Sequence, residues 1–368
     1  MKKMNNIALY RKYRPQSFAE IIGQDHIVQT LTNSILRKNI SHAYLFSGPR
    51  GSGKTSIARL FAKAVNCNDL SSFEPCNKCD SCLEISAGKS IDLLEIDAAS
   101  HTGVDDVREL IDGIKFAPVK SKYKIFIIDE CHQLSKSAVN ALLKTLEEPP
   151  AHAIFLLATT ESHKMLPTII SRCQRFDFKR LQVTEIIKKL EFIGKKENIK
   201  FENTVLPLIA LNSRGSFRDA ETLLDQCISF CGKDKLVKTE EIKELLGIVE
   251  VVQISQFMDF LLQKNAKEAL VYLNSMVDSG VDLQEFAKTL VFYLRQAMLL
   301  KINSNFLNLQ NSGLSEKEVE KINLQISALA EKDIQNMLEI FIEAETKMKY
   351  NSIMQLPLEL AVMDITNK

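Results

Sequence analysis

The sequence predicts an α/β domain with a mainly parallel sheet, followed by a helical lid and an all-helical domain. Two observations carry that prediction. Between residues 43 and 160, short apolar runs alternate with amphipathic stretches. Several of the runs are apolar throughout, as strands covered on both faces are. After about residue 180 strand-like runs almost vanish, and segments of helical period follow one another.

The expected strands cover residues 43–47, 91–96, 124–129 and 153–160, with helices over 104–114 and 137–148 between them. The second helix stops at Pro149 and Pro150, two consecutive residues without a backbone donor. Such alternation predicts an open sheet with its ligand at the carboxyl ends of the strands. Further helices are expected over 184–197, 216–230, 266–279 and 282–301, and Ser315 with Glu318 reads as a capping box opening another. The expected domains are 1–180, 181–242 and 243–368, the second boundary following a lysine-rich stretch.

Composition narrows the class without deciding it. The 368 residues are 45% hydrophobic, enough for two or three cores, and the net charge of +1 excludes a strongly basic coat but not a local basic face. The lysines near the start precede no apolar segment, and no apolar run approaches the ~18 residues that span a bilayer. A cytoplasmic protein with no membrane partner is expected. Its eight cysteines then read as metal ligands or packed thiols rather than disulfides.

Gly48, Pro49, Arg50, Gly51, Ser52, Gly53, Lys54 and Thr55 fit G-x-x-x-x-G-K-[ST], between an expected strand and a helix that continues from Ser56. Glycines let the backbone wrap phosphates, and the helix N-terminus adds partial positive charge. In this pattern Lys54 reaches the β- and γ-phosphates of a nucleotide and Thr55 ligates Mg²⁺. The run 124–129 is a buried strand ending in the paired acids Asp129 and Glu130. Two carboxylates there are costly unless something compensates their charge, and a metal with a phosphate-bound water does so. Asp129 is assigned to the metal and Glu130 to the attacking water. Thr160 ends the last expected strand; it either helps hold that water or is simply a β-branched strand residue. His132 reads as a neighbour of the acid pair rather than a base.

Cys67, Cys76, Cys79 and Cys82 form C-x₈-C-x₂-C-x₂-C, a spacing that lets four thiolates converge on one tetrahedral ion. Such a closed site is structural, with zinc or an iron–sulfur cluster as its occupant. The remaining cysteines, Cys131, Cys173, Cys227 and Cys231, read as motif neighbours or packed thiols.

Several of these segments together resemble the clamp-loader branch of the AAA+ ATPases, as found in bacterial DNA polymerase III. They are HAYLFSGPRGSGKT over 42–55, IIDECH over 127–132, LLKTLEEPP over 142–150 and TIISRC over 168–173. Upstream, YRKYRP over 10–15 and IGQ over 22–24 resemble the family's adenine-cradling segment, which implies that Tyr10, Arg11, Pro15, Ile22 and Gly23 hold the base. The resemblance implies that Thr160 is sensor 1. It makes Arg172 the arginine finger entering a neighbouring subunit's site, and Arg218 of GSFRD the sensor 2 arginine touching the γ-phosphate. Taken alone, Arg172 and Arg218 read as solvated surface charges. Glu221 stands where the family more often has an apolar residue.

The resemblance further implies ATP and Mg²⁺ at the phosphate loop, Zn²⁺ among the cysteines, and an ATPase motor that loads a sliding clamp onto primed-template DNA. The implied partners are delta, delta prime and further copies of the same subunit, with 243–368 as the collar joining them. A hexameric helicase and a nucleotide-gated scaffold are the alternatives. The cysteine insertion and Ser-Arg-Cys argue against the first; intact Lys54, Asp129 and Glu130 argue against the second.

Overall fold

The computed structural model describes residues 8–69, 72–100, 113–114, 116–231, 236–245, 251–302, 316–327 and 329–366. All but the last two residues of the helix expected over 104–114, and Ser315 of the expected capping box, lie outside them.

Five strands form a parallel sheet: β1 (Ala43–Ser47), β2 (Leu93–Asp97), β3 (Lys124–Asp129), β4 (Ala153–Thr159) and β5 (Gln174–Asp177), in the order β2-β3-β4-β1-β5. The apolar runs behave as strands buried on both faces must. Tyr44, Phe46, Ile125, Ile127, Ile154 and Leu156 enter one core. Their chain neighbours Ala43, Leu45, Phe126, Ile128, Phe155 and Leu157 enter the other. The helix Lys54–Val65 covers the first face through Ile57, Ala58 and Phe61, and Lys136–Glu147 covers the second through Ala138 and Leu142.

β5 escapes the apolar pattern because only Phe176 of its four residues is buried. It is an edge strand, specified by pairing with β1 rather than by its own composition. β2 begins later than expected, leaving Ile91 62% exposed.

Three helices, Val183–Glu197, Val205–Asn212 and Phe217–Cys231, follow the sheet. Glu185 accepts a hydrogen bond from the Gln182 N–H at the first helix's start, and Asn198 closes it in the left-handed conformation. A parallel pair of two-residue strands, β6 (Lys200–Phe201) and β7 (Leu236–Val237), is too short to leave a periodic signal. Contacts divide the chain into two compact units, Met1–Val237 and Lys238–Lys368.

In the second unit, helices between Val251 and Thr366 share one core. At its centre the Phe257 ring meets Phe286 edge-on at 5.3 Å and Phe341 at 6.3 Å. Gln325 crosses this interior, donating to the Ser255 carbonyl at 2.8 Å while Tyr293 donates to its amide oxygen. Phe257 is fully buried, so Phe257→Ala should lower the unfolding free energy of this unit by about 3–5 kcal/mol. Urea denaturation reads that change, and a loss below about 1 kcal/mol would contradict so dense a core.

Candidate functional site

Because every strand of the sheet runs the same way, its carboxyl ends gather the loops after β1, β3 and β4 at one edge. The loop after β1 leaves the sheet with the Gly48 N–H bonded to the Thr159 carbonyl at 3.2 Å, then turns through Gly51 and Gly53, both with positive φ. Gly51 has no substitute. At φ +73° an added Cβ would stand 1.9 Å from Ser216 Oγ, and the Gly51 carbonyl accepts the Phe217 N–H at 3.1 Å. The loop is thereby tied to the start of the helix that carries Arg218. Gly23 makes a similar close approach farther upstream, its absent Cβ lying 2.6 Å from Leu181.

Lys54 opens the helix beneath the loop with only 6% of its surface exposed, and its ammonium donates to the carbonyls of Gly48 (2.8 Å) and Pro49 (2.9 Å). Burial lowers its pKa, with Glu130 and Asp129 opposing that shift. Thr55 Oγ1 donates to Asp129 Oδ2 at 2.7 Å, so the hydroxyl and the carboxylate sit where a single cation can reach both. One residue on, Glu130 takes a left-handed conformation at φ +47°, turning its carboxylate along the sheet edge towards β4. There Glu130 Oε2 accepts from Thr160 Oγ1 at 2.7 Å and from the Thr160 N–H at 3.2 Å. His132 is packed behind the pair, with Nδ1 3.0 Å from Thr159 Oγ1.

A cavity of about 1200 Å³ extends from this edge. Of the residues expected from sequence, Tyr10, Arg11, Pro15, Ile22, Arg50, Gly51, Ser52, Gly53, Lys54, Thr55, Ser56, Asp129, Glu130 and Arg218 line it. The Arg218 guanidinium lies 5.1 Å from the centre of the Tyr10 ring, a cation–π arrangement. Gly48, Pro49, Gly23 and Thr160 act behind the lining. Arg172 stands apart from it, on the outer surface, donating to Glu147 Oε1 at 2.7 Å and to the Thr168 carbonyl at 2.8 Å.

The cavity also has walls that no local pattern announced. Arg59 makes a two-pronged ion pair with Glu95, at 2.7 and 2.6 Å. Arg14, Lys189 and Glu221 also line it. Lys189 comes from the helix Val183–Glu197 and donates to the Tyr13 carbonyl at 3.0 Å, a meeting across 176 residues that periodicity cannot register. Glu221 is 6% exposed, and burial raises its pKa to about 7 against the pull of Lys189 and Arg14.

The four cysteine sulfurs lie within 4.8 Å of one another, and those of Cys76 and Cys82 are 3.9 Å apart. Zinc–sulfur bonds of about 2.3 Å in a tetrahedron place sulfurs about 3.8 Å apart, so the residues fit one such ion. An iron–sulfur cluster interposes its own irons and sulfides and needs a wider cage. N–H groups of Lys78 and Cys79 point at Cys76 Sγ and lower its pKa to about 6, whereas burial raises that of Cys82. Outside the cluster, Cys131, Cys227 and Cys231 are buried in cores and Cys173 is half-buried. No helix among the described residues is long and apolar enough to cross a membrane.

A parallel sheet of this order, with a phosphate loop after β1, a three-helix lid and a second unit whose described elements are helices, defines a P-loop ATPase fold of the AAA+ class. Residues 23–182 match the family described as DNA polymerase III, delta subunit. Residues 185–233 match the DNA polymerase III clamp loader subunit, ATPase lid domain, and 237–367 match DNA polymerase III subunits gamma and tau domain III. DNA polymerase III subunit tau of Bacillus subtilis is 44% identical over 98% of this chain and 63% of its own length. DNA polymerase III subunit gamma of Buchnera aphidicola is 43% identical over 81% of this chain and 80% of its own. The chain belongs to the DNA polymerase III gamma/tau family. It spans less than two thirds of the Bacillus relative. Among solved structures, the Thermotoga maritima RuvB Holliday junction branch migration motor aligns with 73% of this chain and 86% of its own, at a TM-score of 0.48 and 19% identity.

Glu221 gives the site a measurable pH dependence. A carboxyl whose folded pKa is raised from about 4.5 to about 7 binds more protons folded than unfolded across that window, so its contribution to stability falls as pH rises through it. Glu221→Gln should therefore raise the melting temperature at pH 8, removing a cost on the order of 3 kcal/mol, and change little at pH 4.5. Equal shifts at both pH values in thermal melts would show that Glu221 is ionised without penalty.

Proposed function

We propose that this chain is the ATPase motor subunit of a bacterial DNA polymerase III clamp loader. In this reading it couples ATP binding and hydrolysis to opening of the sliding clamp and its placement on primed-template DNA. The observation that carries the proposal is the arrangement at the sheet edge. Thr55 with Asp129, and Glu130 with Thr160, stand side by side beneath the phosphate loop.

The loop from Gly48 to Ser56 cradles the phosphates through its backbone N–H groups, and the Lys54 ammonium, already held at the loop, moves onto the β- and γ-phosphate oxygens. Thr55 and Asp129 hold Mg²⁺, which supplies charge neutralisation for the phosphates. Glu130 orients and deprotonates the attacking water, and Thr160 fixes the Glu130 carboxylate as sensor 1. Tyr10, Arg11, Pro15, Ile22 and Gly23 form the base end. Arg218 reports the γ-phosphate from the lid, a role supported by the bond between Gly51 and Phe217 that ties its helix to the phosphate loop.

Arg172 acts on a neighbouring copy. Its place on the surface, away from its own cavity, suits a group offered in trans, and the exposed pair with Glu147 is weak enough to exchange for a phosphate. Hydrolysis then depends on how two subunits meet.

We assign residues 1–180 to the nucleotide domain, 181–242 to the lid and 243–368 to the collar that joins the assembly. Cys67, Cys76, Cys79 and Cys82 hold structural zinc. The partners are delta, delta prime and further copies of this subunit, with the sliding clamp and DNA, in the cytoplasm. Contacts to DNA run through phosphates and are largely independent of sequence.

Steady-state ATPase of the assembled loader tests the reading. Turnover should rise only when clamp and primed DNA are both present, and unstimulated turnover would point to a different AAA+ motor. Lys54→Ala should abolish ATP binding and loading together. Arg172→Ala should leave ATP affinity within about twofold while cutting hydrolysis in the assembly by about 10³-fold or more. Normal turnover in that variant would remove the trans arginine from the scheme.

A further inference from the structure

The cysteine module reaches the nucleotide cavity through a short chain of hydrogen bonds. Glu74, two residues before Cys76, accepts the N–H groups of Phe18 (2.8 Å) and Ala19 (3.0 Å). Asn77, between Cys76 and Cys79, donates through Nδ2 to the Gln16 carbonyl at 3.1 Å. Asn77 holds that position in the left-handed conformation, φ +58°, which asparagine tolerates better than most residues. Gln16 carries the linkage on: its Nε2 donates to the Arg14 carbonyl at 3.1 Å, and its Oε1 accepts from Lys63 on the phosphate-loop helix at 2.8 Å. Arg14, Pro15, Gln16, Ile21 and Ile22 all line the cavity. On the far side of the cysteines, the helix Asp80–Ser86 ends with Ile85 and Ser86 in the same wall.

The segment 14–22 has few other anchors on that side. Phe18 is buried in the sheet core, but the N–H groups of Phe18 and Ala19 both go to Glu74, and the main-chain carbonyl of Gln16 goes to Asn77. We infer that the four-cysteine module is a brace for the base end of the nucleotide cavity, with Glu74 and Asn77 as positioning residues. Metal occupancy and nucleotide affinity are therefore thermodynamically linked. The physical reason is that Glu74 and Asn77 lie inside the loop closed by the cysteines. A cation holding the four sulfurs within 4.8 Å fixes both side chains, and its removal returns that loop's conformational freedom. Linkage is reciprocal, so a bound nucleotide must also retain the metal.

The inference rests on the nucleotide-binding reading above, and the experiment separates the two. Equilibrium binding of ATP is measured with the full chain loaded with zinc. It is repeated after the zinc has been stripped with a mercurial and a chelator and the protein returned to Mg²⁺ buffer, with circular dichroism confirming that the fold persists. Stripping should weaken ATP binding about tenfold, and saturating ATP should lower the zinc dissociation constant, read by competition with a chelator, by the same factor. Glu74→Ala, retaining its zinc, should raise Kd and KM about tenfold with kcat within about twofold, a split that general loss of structure does not produce. Glu74→Gln keeps an acceptor oxygen and should recover part of the loss; Asn77→Ala should cost about threefold. Unchanged ATP affinity in the stripped, folded protein overturns the inference, as does a zinc affinity indifferent to ATP. Should Glu74→Ala shed its zinc, the ATP dependence of zinc affinity in the unsubstituted chain decides alone. Failure of the zinc-loaded chain to bind ATP at all would instead sink the nucleotide-binding reading.

Discussion

Everything at the site follows from burial of β1, β3 and β4 on both faces. A strand with apolar neighbours above and below has no room for charge along its length, since an ion taken into that interior loses several kcal/mol of solvation. Charged groups in these strands can appear only where the strands end. Parallel pairing puts those ends on one edge, and the register aligns Ser47 with Thr159 there. The phosphate loop, the Asp129–Glu130 pair and Thr160 thus converge because the sheet excludes them from everywhere else.

The lid and the N-terminal segment close the cavity in different ways. The lid is bonded directly to the phosphate loop, through Phe217 and Gly51, with Ser216 packed where a side chain on Gly51 would be. The phosphate loop and the helix carrying Arg218 are therefore directly joined. The N-terminal segment is held from two sides, by Lys189 of the lid through the Tyr13 carbonyl and by Glu74 and Asn77 of the cysteine module. Glu221 lines the same cavity, a carboxyl whose pKa burial raises to about 7 against the pull of Lys189 and Arg14. One cavity wall is consequently assembled from chain positions far apart in sequence.

Much of this was legible before the fold was known, and for definite reasons. β1 and β3 coincide with their apolar runs because a doubly buried strand leaves an uninterrupted signal. β5 does not, because an edge strand with one buried side chain is defined by its partner. The phosphate loop was readable from its glycines, whose positive φ few other residues tolerate, and the cysteine module from a spacing that lets four thiols meet. Arg172 and Arg218 gave no signal of their own; a single arginine on a helix is ordinary, and only resemblance to a family singled them out.

The sequence by itself marked the candidate groups: a glycine-rich loop of the phosphate-binding pattern, a hydroxyl and paired acids beside it, and four thiols at a spacing that suits one ion. Those features are local, and the residue types and spacings they need are written within a few positions of one another. Only the tertiary structure decided which distant residues share the cavity. It brought Lys189 to Tyr13 and Glu74 to Phe18, put Glu221 in one cavity with Arg14 and Lys189, and left Arg172 outside. Such meetings depend on how helices and loops fold back over the sheet. No periodicity in the chain encodes the distance between two residues separated by most of a domain.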